Sequence, residues 1–232
     1  MAKRKVSSAA EEVVVQAEEV TVAPSVNIWE KYQQQIMYGL IGLAVVVGGW
    51  FAYKSLVVAP KQKEAVAAMW QAQMQFERDS FKLALENPGG GYDGFLALAD
   101  KFSGTPAANS MNYYIGVCYL QTGDFDNAIK YLEDFSPEGS LLPTMKYGAL
   151  GDCYSEKKDF DKAASLYEKA SEAGKNEMLS AHYLKKLGML HEYNGKTDDA
   201  RKAYEKLKKE YPLSPDGRDI DKYIYRVGGT SE

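Results

Sequence analysis

Three segments of the chain share one pattern of residues at a fixed spacing, and this repeat restricts the fold more than any other feature of the sequence. The segments are NYYIGVCYLQTGDFDNAIKYLEDF from Asn112, YGALGDCYSEKKDFDKAASLYEKA from Tyr147 and LKKLGMLHEYNGKTDDARKAYEKL from Leu184. Each contains a glycine after a large apolar residue, an alanine twelve residues later and a large side chain four residues beyond the alanine. The glycines, Gly116, Gly151 and Gly188, are 35 and 37 residues apart. Such a period predicts a stacked array of one supersecondary unit.

Each unit predicts two antiparallel helices. The glycine lies on the first helix and an alanine lies on the second, and we expect these small residues where the two helices cross, because larger side chains would hold the backbones apart. The alanines are Ala128, Ala163 and Ala200. A period of about 34 residues with this alternation of small and large side chains resembles the tetratricopeptide repeat. The resemblance implies an all-α solenoid of stacked helix pairs.

The turn inside each unit reads TGDF, KKDF or NGKT. Gly123 and Gly195 can adopt the positive φ at which many helices end. Asp124, Asp159 and Thr197 stand near the start of the following helix, and we expect each of them to cap it. The second helix of each pair should therefore begin directly after these residues.

The regions on either side of the repeats are also predicted to be helical. A long linking helix is expected from Lys61 to about Asn87, and a second helix from Tyr92 to Phe102 would complete a divergent first helix pair. At the other end, Gly217 to Val227 is amphipathic and is expected to cover the open end of the stack. The predicted domains are a disordered tail at 1–26, an interfacial segment and transmembrane helix at 27–59, the linking helix and divergent pair at 60–106, three repeats at 107–212, and a capping helix and tail at 213–232.

The stretch IMYGLIGLAVVVGGWFAYK, from Ile36 to Lys54, has no charged residue before its last position. Its uncharged part makes a helix about 27 Å long, close to the ~30 Å hydrocarbon core of a bilayer. The stretch is apolar on all sides, unlike an amphipathic core helix. It is also longer, and later in the chain, than the apolar part of a cleaved signal peptide. A single uncleaved membrane anchor is therefore favoured over both alternatives.

The flanks of this stretch agree with an anchor. Trp29 and Tyr32 precede it, and Trp50 and Tyr53 end it, as expected for aromatic rings at the two membrane interfaces. Lysines near the two ends are almost balanced in number, so the positive-inside rule does not fix the orientation. A short tail before a large C-terminal domain favours a cytoplasmic N-terminus and a C-terminal domain outside the membrane.

Small residues recur every four positions along the predicted span, at Ala44, Gly48 and Ala52. Such a face permits close approach of another transmembrane helix. Alternatively, these small residues simply face lipid, since glycine is common in such helices.

The sequence contains no recognisable catalytic or metal-binding motif. Cys118 and Cys153 are too few for a disulfide framework and are expected to be buried thiols. His182 and His191 are nine residues apart, which does not place them on one helix face as metal ligands. The net charge of −4 argues against bulk attraction to nucleic acid. We therefore expect no enzyme activity, no cofactor and no nucleic-acid partner.

A solenoid of this kind has a concave groove lined by the first helix of each unit. If the resemblance holds, apolar, aromatic and charged residues of these helices line the groove and suit a helix or an extended apolar segment of a partner. These residues are Tyr113, Val117, Leu120, Met145, Asp152, His182, Lys185, Met189 and Tyr193. The alternative is that several of them only pack against neighbouring repeats.

The order of polar tail, single span, linking helix and short repeat array resembles the YfgM-like family of bacterial inner-membrane proteins. The stretch NIWEKYQQQIMYGLIGLAVVVGGWFAYKS and the following AVAAMWQAQ carry most of this resemblance. The resemblance implies a periplasmic C-terminal domain and an accessory role beside the SecYEG translocon, with a periplasmic chaperone and exported clients as partners. A structural scaffold of another cell-envelope machine, for outer-membrane protein assembly or secretion, is the alternative.

Overall fold

The computed structural model describes residues 28–174 and 176–228, and every regular element among them is a helix. The prediction of an all-α chain is thus confirmed for this part of the molecule. The chain divides into two compact units, Met1–Phe51 and Ala52–Glu232. The predicted tail at 1–26 lies outside the described residues.

The described part of the first unit is a single helix, whose last two residues lie past the unit boundary. Helix α1 spans Ile28–Tyr53, and every side chain from Tyr32 to Phe51 except that of Ile36 is exposed. The candidate membrane span is Tyr32–Ala68, whose most apolar 18-residue window has a mean hydropathy of 1.8 and no buried residue. Because no side of this window packs against protein, it is not a core helix, and its length and composition are those of a helix that can cross a membrane.

The second unit contains a π-helix and twelve α-helices among the described residues. The π-helix spans Lys54–Val58 and is followed by four short helices, α2 (Ala59–Ala68), α3 (Trp70–Phe76), α4 (Phe81–Leu85) and α5 (Phe95–Lys101). Three pairs of longer helices come next: α6 (Pro106–Thr122) with α7 (Phe125–Asp134), α8 (Leu142–Glu156) with α9 (Phe160–Ala173), and α10 (Glu177–Tyr193) with α11 (Thr197–Glu210). Helices α12 (Pro215–Arg218) and α13 (Asp221–Arg226) complete the unit.

The predicted continuous helix from Lys61 to about Asn87 is wrong, because a turn separates α3 from α4. Asp79 has a φ of 58° in this turn. Its amide donates a 3.0 Å hydrogen bond to the carbonyl of Phe76, and the Ser80 amide donates one of 2.9 Å to Gln75. These two bonds form a Schellman ending, which terminates a helix at a left-handed residue.

The predicted helix from Tyr92 to Phe102 is shorter than expected and corresponds to α5. Gly94 lies just before it with an extended backbone. A Cβ atom at Gly94 would lie 2.3 Å from the carbonyl oxygen of Leu85. The chain therefore passes so close to the end of α4 that only glycine fits at this position.

Helices α2 and α3 are fixed to the start of α6. The side-chain oxygen of Gln62 accepts a 2.7 Å hydrogen bond from the Ala107 amide, which is one of the donors left free at a helix start. The Lys61 ammonium donates a 3.2 Å hydrogen bond to the Ser103 carbonyl. Three small or flexible apolar side chains of α2, α3 and the turn between them belong to one buried cluster with residues of α4, α5 and α6: Ala65, Met69 and Ala72. This segment is thus part of the packed helical domain.

The repeated glycines lie where the paired helices cross. A Cβ atom at Gly116 would lie 2.6 Å from Leu132, one at Gly151 would lie 2.6 Å from the ring of Tyr167, and one at Gly188 would lie 2.2 Å from the ring of Tyr204. The alanines Ala128, Ala163 and Ala200 are fully buried. The predicted small residues at the crossings are confirmed, and the large side chain four residues after each alanine fills the space that the glycine leaves.

The turn inside the first pair combines a Schellman ending with a helix cap. Gly123 has a φ of 83°, and its amide donates to the Leu120 carbonyl at 3.2 Å. The Asp124 amide donates to Tyr119 at 2.9 Å. The Asp124 carboxylate then caps α7 by accepting a 3.2 Å hydrogen bond from the Asn127 amide.

The other two turns have the same backbone but differ in their residues. Gly195 adopts a φ of 72°, as the sequence predicted, whereas Lys158 occupies the equivalent place in the second pair with a φ of 63°. Asp159 caps α9 through a 3.3 Å hydrogen bond from an amide three residues on. The predicted cap at Thr197 is wrong, because Thr197 is already the first residue of α11 and Lys196 precedes it without a side-chain cap.

The predicted helix from Gly217 to Val227 consists of two short helices, α12 and α13. The chain is nevertheless folded back onto α10 and α11, since Ile220 is 0% exposed and Ile224 is 2% exposed. Both pack in one cluster with Leu184 of α10 and Leu207 of α11. Burying two such side chains contributes on the order of 1.5–3 kcal/mol each.

A carboxylate of α10 fastens this C-terminal segment. Glu192 accepts hydrogen bonds from the Arg226 guanidinium at 2.8 Å and from the Tyr204 hydroxyl at 2.9 Å. Burial raises the pKa of Glu192, but the two hydrogen bonds outweigh it and hold the pKa of this carboxyl below its ordinary value of 4.5. The ionised form is therefore the one that binds α13.

Candidate functional site

The C-terminal halves of α6, α8 and α10 line two clefts that share part of their walls. Cleft A, with a volume of about 540 Å³, is lined by Leu120, Gln121, Gly123, Phe125, Asp152, Ser155, Glu156, Tyr167 and Lys186. Cleft B, with a volume of about 380 Å³, is lined by Ser155, Glu156, Lys158, Phe160, Tyr167, Lys186, Met189, Leu190 and Tyr193. Side chains from all three helix pairs thus meet at one surface.

The shared wall holds a charge pair with a tyrosine. One carboxylate oxygen of Asp152 accepts a hydrogen bond from the Tyr167 hydroxyl at 2.6 Å and another from the Lys186 ammonium. The same ammonium lies 5.2 Å from the centre of the Tyr167 ring. Burial, followed by the Asp152 charge and hydrogen bond, raises the pKa of Tyr167. Tyr167 therefore remains a donor, and the charge of Lys186 is neutralised within the protein.

The opposite wall of cleft B is apolar and accessible. The rings of Phe160 and Tyr193 meet edge to face, with centroids 5.6 Å apart. Tyr193 is 77% exposed and Met189 is 47% exposed; exposed apolar side chains that lie next to each other, unlike single ones, mark a candidate interaction surface. Because Tyr193 lies one helical turn after Met189 on α10, the two side chains form one surface.

Two further tyrosines, Tyr113 and Tyr183, lie close enough to Asp152 of the shared wall to interact with its charge. Tyr183 stacks on Tyr167 with a centroid distance of 6.2 Å, and a Cβ atom on Gly148 would lie 2.0 Å from its hydroxyl. Tyr113 contacts Phe135 and Tyr114. Burial, followed by the neighbouring Tyr114 and Asp152, raises the pKa of Tyr113 to about 12. Burial also raises the pKa of Tyr183, so Tyr113 and Tyr183 keep their protons near neutral pH.

Comparison with known families agrees with the helix-pair architecture. Tetratricopeptide-repeat families match residues 94–139, 147–178 and 186–214. The chain contains tetratricopeptide repeats. No curated protein matches the chain. Repeats of this kind form protein–protein interaction modules, so the coarse functional expectation for this domain is supported.

The repeats bring four of the nine predicted groove residues to the two clefts. Leu120 and Asp152 line cleft A, and Met189 and Tyr193 line cleft B. Three others are half-buried on the first helices of the repeats and line neither cleft: Tyr113, Val117 and Met145.

The last two predicted groove residues contact the C-terminal segment instead. Lys185 donates a 2.6 Å hydrogen bond to one carboxylate oxygen of Asp216, and His182 Nδ1 lies 3.5 Å from the other. The Lys185 ammonium also lies 5.3 Å from the ring centre of Tyr223. These side chains therefore hold α12 and α13 on the last repeat.

Sequence reasoning missed Phe160, Tyr167 and Lys186 as cleft residues. The first two belong to the second helix of a repeat, whereas the groove was expected from first helices alone. A signal existed, because Phe125 and Phe160 occupy the same place in TGDF and KKDF, and each lines a cleft. Lys186 comes directly after the predicted groove residue Lys185, and no repeated sequence feature distinguishes it.

A larger cleft of about 800 Å³ lies along α5, α6 and α7. None of the nine predicted residues lines it. At its rim the Asn109 side chain exchanges two 2.8 Å hydrogen bonds with the backbone of Ser136. The Asn109 side chain and the Ser136 backbone at this rim therefore already bond to each other.

Groups suited to metal or thiol chemistry are lacking in the part of the chain that the structure describes. No cluster of three or more His, Cys, Asp or Glu side chains is placed to hold a metal ion there. Cys118 and Cys153 are both fully buried, and burial raises the pKa of each thiol to about 12. Neither sulfur is available as a thiolate near neutral pH.

The small residues of the apolar helix are exposed. Ala44, Gly48 and Ala52 are all exposed, and a Cβ atom at Gly48 would meet no atom within 4 Å. The role of this face in contact with another helix stays a prediction.

Proposed function

We propose that the chain is a non-enzymatic, membrane-anchored module that binds a partner protein along the first helices of its repeats. One wall of cleft B carries the proposal: Met189 and Tyr193 are exposed there beside the partly buried Phe160, and accessible aromatic and methionine side chains favour a protein interface. The residues proposed for partner contact are Tyr113, Val117, Leu120, Met145, Asp152, His182, Lys185, Met189 and Tyr193. Met189, Tyr193 and His182 are the exposed residues among them, and the first two line cleft B.

The proposed setting is the bacterial inner membrane, with an accessory role at the Sec translocon. The order of segments and its resemblance to the YfgM-like family support this setting. In it, α1 contacts lipid as the single span, and the repeats serve exported or membrane proteins in the periplasm. SecYEG, a periplasmic chaperone and exported clients are the proposed partners, and nucleic acid is not.

Crosslinking from α1 tests the translocon role. A photo-reactive residue in place of Ala44 or Gly48, at native expression, should give adducts with SecYEG subunits that mass spectrometry identifies. Val46 provides the matched control, because it lies on the opposite side of the helix and is 69% exposed. Adducts with subunits of another envelope machine, in place of SecYEG, would favour the scaffold role and contradict the translocon role.

A single introduced cysteine tests the orientation. The native thiols of Cys118 and Cys153 are buried and protonated. A thiol introduced by Ser231→Cys is therefore the one that should react in the folded chain. In intact spheroplasts an impermeant thiol reagent should label this variant. Protection of the introduced thiol until the membrane is opened would place the C-terminal domain in the cytoplasm.

A further inference from the structure

We infer that cleft B receives an uncharged segment of the partner through one aromatic or large aliphatic side chain. The inference rests on the proposed protein-binding function and states the chemistry of the segment bound there. It assigns the contact to the wall formed by Phe160, Met189 and Tyr193.

The first argument is the accessible apolar surface. Tyr193 and Met189 expose 77% and 47% of their surface, and Phe160 supports the Tyr193 ring from the side at 5.6 Å. An aromatic or branched side chain placed among them would remove water from three apolar groups at once. Anchors of this type supply most of the binding energy of a protein interface.

The second argument is the charge of the rim. Lys186 is neutralised by Asp152 within the shared wall, and Lys185 is neutralised by Asp216 outside the cleft. The remaining rim charges, Glu156 and Lys158, are opposite in sign, and neither forms an ion pair with another described residue. With no net charge at the rim, charge complementarity favours a segment without net charge over an acidic or a basic one.

The third argument is that the cleft is already formed in the free protein. Lys158 at the rim is held in the Schellman turn, where its amide donates to Ser155 at 2.9 Å. The floor is held by the bond between Tyr167 and Asp152 at 2.6 Å. The backbone of the rim and the floor of the cleft therefore need no ordering when a partner binds, which reduces the cost of association.

Peptide binding to the full chain in lipid nanodiscs tests the inference by fluorescence anisotropy, with empty nanodiscs as the blank. The probe is a labelled neutral peptide of about ten residues with one central phenylalanine. We expect its affinity to exceed that of the Phe→Ala peptide, and of peptides with acidic or basic residues beside the phenylalanine, by about tenfold or more. Binding should change by less than about twofold between low and high salt, because no ion pair is formed.

Variants of the protein separate the cleft from other apolar surfaces. Tyr193→Ala should weaken binding of the neutral peptide by about tenfold, whereas Tyr193→Phe should keep it, since the apolar ring remains. Leu213→Ala is the control, because Leu213 is 81% exposed and lines neither cleft. The high exposure of Tyr193 means that its replacement leaves the core intact.

Three results would overturn the inference: tighter binding of a charged peptide, equal binding by Tyr193→Ala and the unchanged protein, or no binding of the neutral peptide. None of them bears on the crosslinks from Ala44 and Gly48. Failure of those crosslinks would contradict the proposed translocon role, whatever the peptides do. The two proposals therefore fail by different measurements.

Discussion

Replacing Gly188 by alanine should destabilise the last repeat, although alanine is the better helix former. The new Cβ atom would lie 2.2 Å and 2.5 Å from two atoms of the Tyr204 ring. Tyr204 is 0% exposed and its hydroxyl is bonded to Glu192 at 2.9 Å, so the ring cannot move aside without breaking other contacts. The added methyl group would therefore overlap a ring whose position is fixed between the two helices.

The expected change in the free energy of unfolding is the difference between two opposing effects. Overpacking of a core costs about 1–3 kcal/mol, and three ring atoms closer than ordinary contact place this site in the upper half of that range. Alanine recovers about 1 kcal/mol through its helix propensity. The expected net loss is about 1–2 kcal/mol, or a fall of about 2–8 °C in the melting temperature of a domain of this size.

Thermal unfolding of the full chain in detergent micelles, followed by far-UV circular dichroism, measures this loss. Hydrogen exchange in α10 and α11 locates it, because repeats open partly independently. Combining Gly188→Ala with Tyr204→Leu removes the outer ring atoms, so the cost of the alanine should fall in that background. An unchanged or higher melting temperature for Gly188→Ala, or an equal cost in both backgrounds, would refute the reasoning.

The other expectations concern a helix cap, two thiols and a carboxylate. Asp124→Ala should lower the unfolding free energy by about 0.5–2 kcal/mol, whereas Thr197→Ala, which removes no cap, should change it by less than about 0.5 kcal/mol in the same melts; equal losses would contradict the observed capping. Cys118 and Cys153 should resist alkylation by iodoacetamide in the native chain and react in denaturant, and mass spectrometry gives the number of alkylated thiols. Fast alkylation of the native chain would contradict their burial. The folded pKa of Glu192 is depressed, so its stabilisation is present above about pH 4.5 and is lost as the pH falls through the folded pKa. Glu192→Gln should therefore flatten the acid side of the stability profile, and parallel profiles would exclude this role.

The helix pairs could be predicted from the sequence because the need for small residues at a close helix crossing produces the same residue pattern in all three repeats. The spacing from Gly188 to Ala200 to Tyr204 indicates where the two helices of the pair cross and which ring fills the space beside the glycine. The other two repeats have the same spacing and the corresponding contacts. The turn at Lys158 shows the limit of this reasoning. Its left-handed backbone is imposed by the Schellman bonds of the motif, although no glycine marks it.

Features that occur once were predicted less well. The break at Asp79 has no glycine or proline to mark it, so the apolar pattern suggested one long helix where a left-handed residue ends it. The groove prediction treated all first-helix positions alike. Contacts between residues distant in the sequence decide which of them remain accessible: Asp216 of α12 binds Lys185, whereas Tyr193, although it touches Phe160, stays 77% exposed. Such contacts depend on side chains more than 30 residues apart and leave no local signal.

Photo-crosslinking in intact cells, with the reactive residue at position 193, tests most directly whether the repeats bind a partner at cleft B. The matched position is 213, where Leu213 is equally exposed but lies outside both clefts. We expect adducts that contain exported or envelope proteins from position 193 and none from position 213. Adducts of equal yield from both positions, or from neither, would contradict the proposal that this surface of the repeats is the binding site.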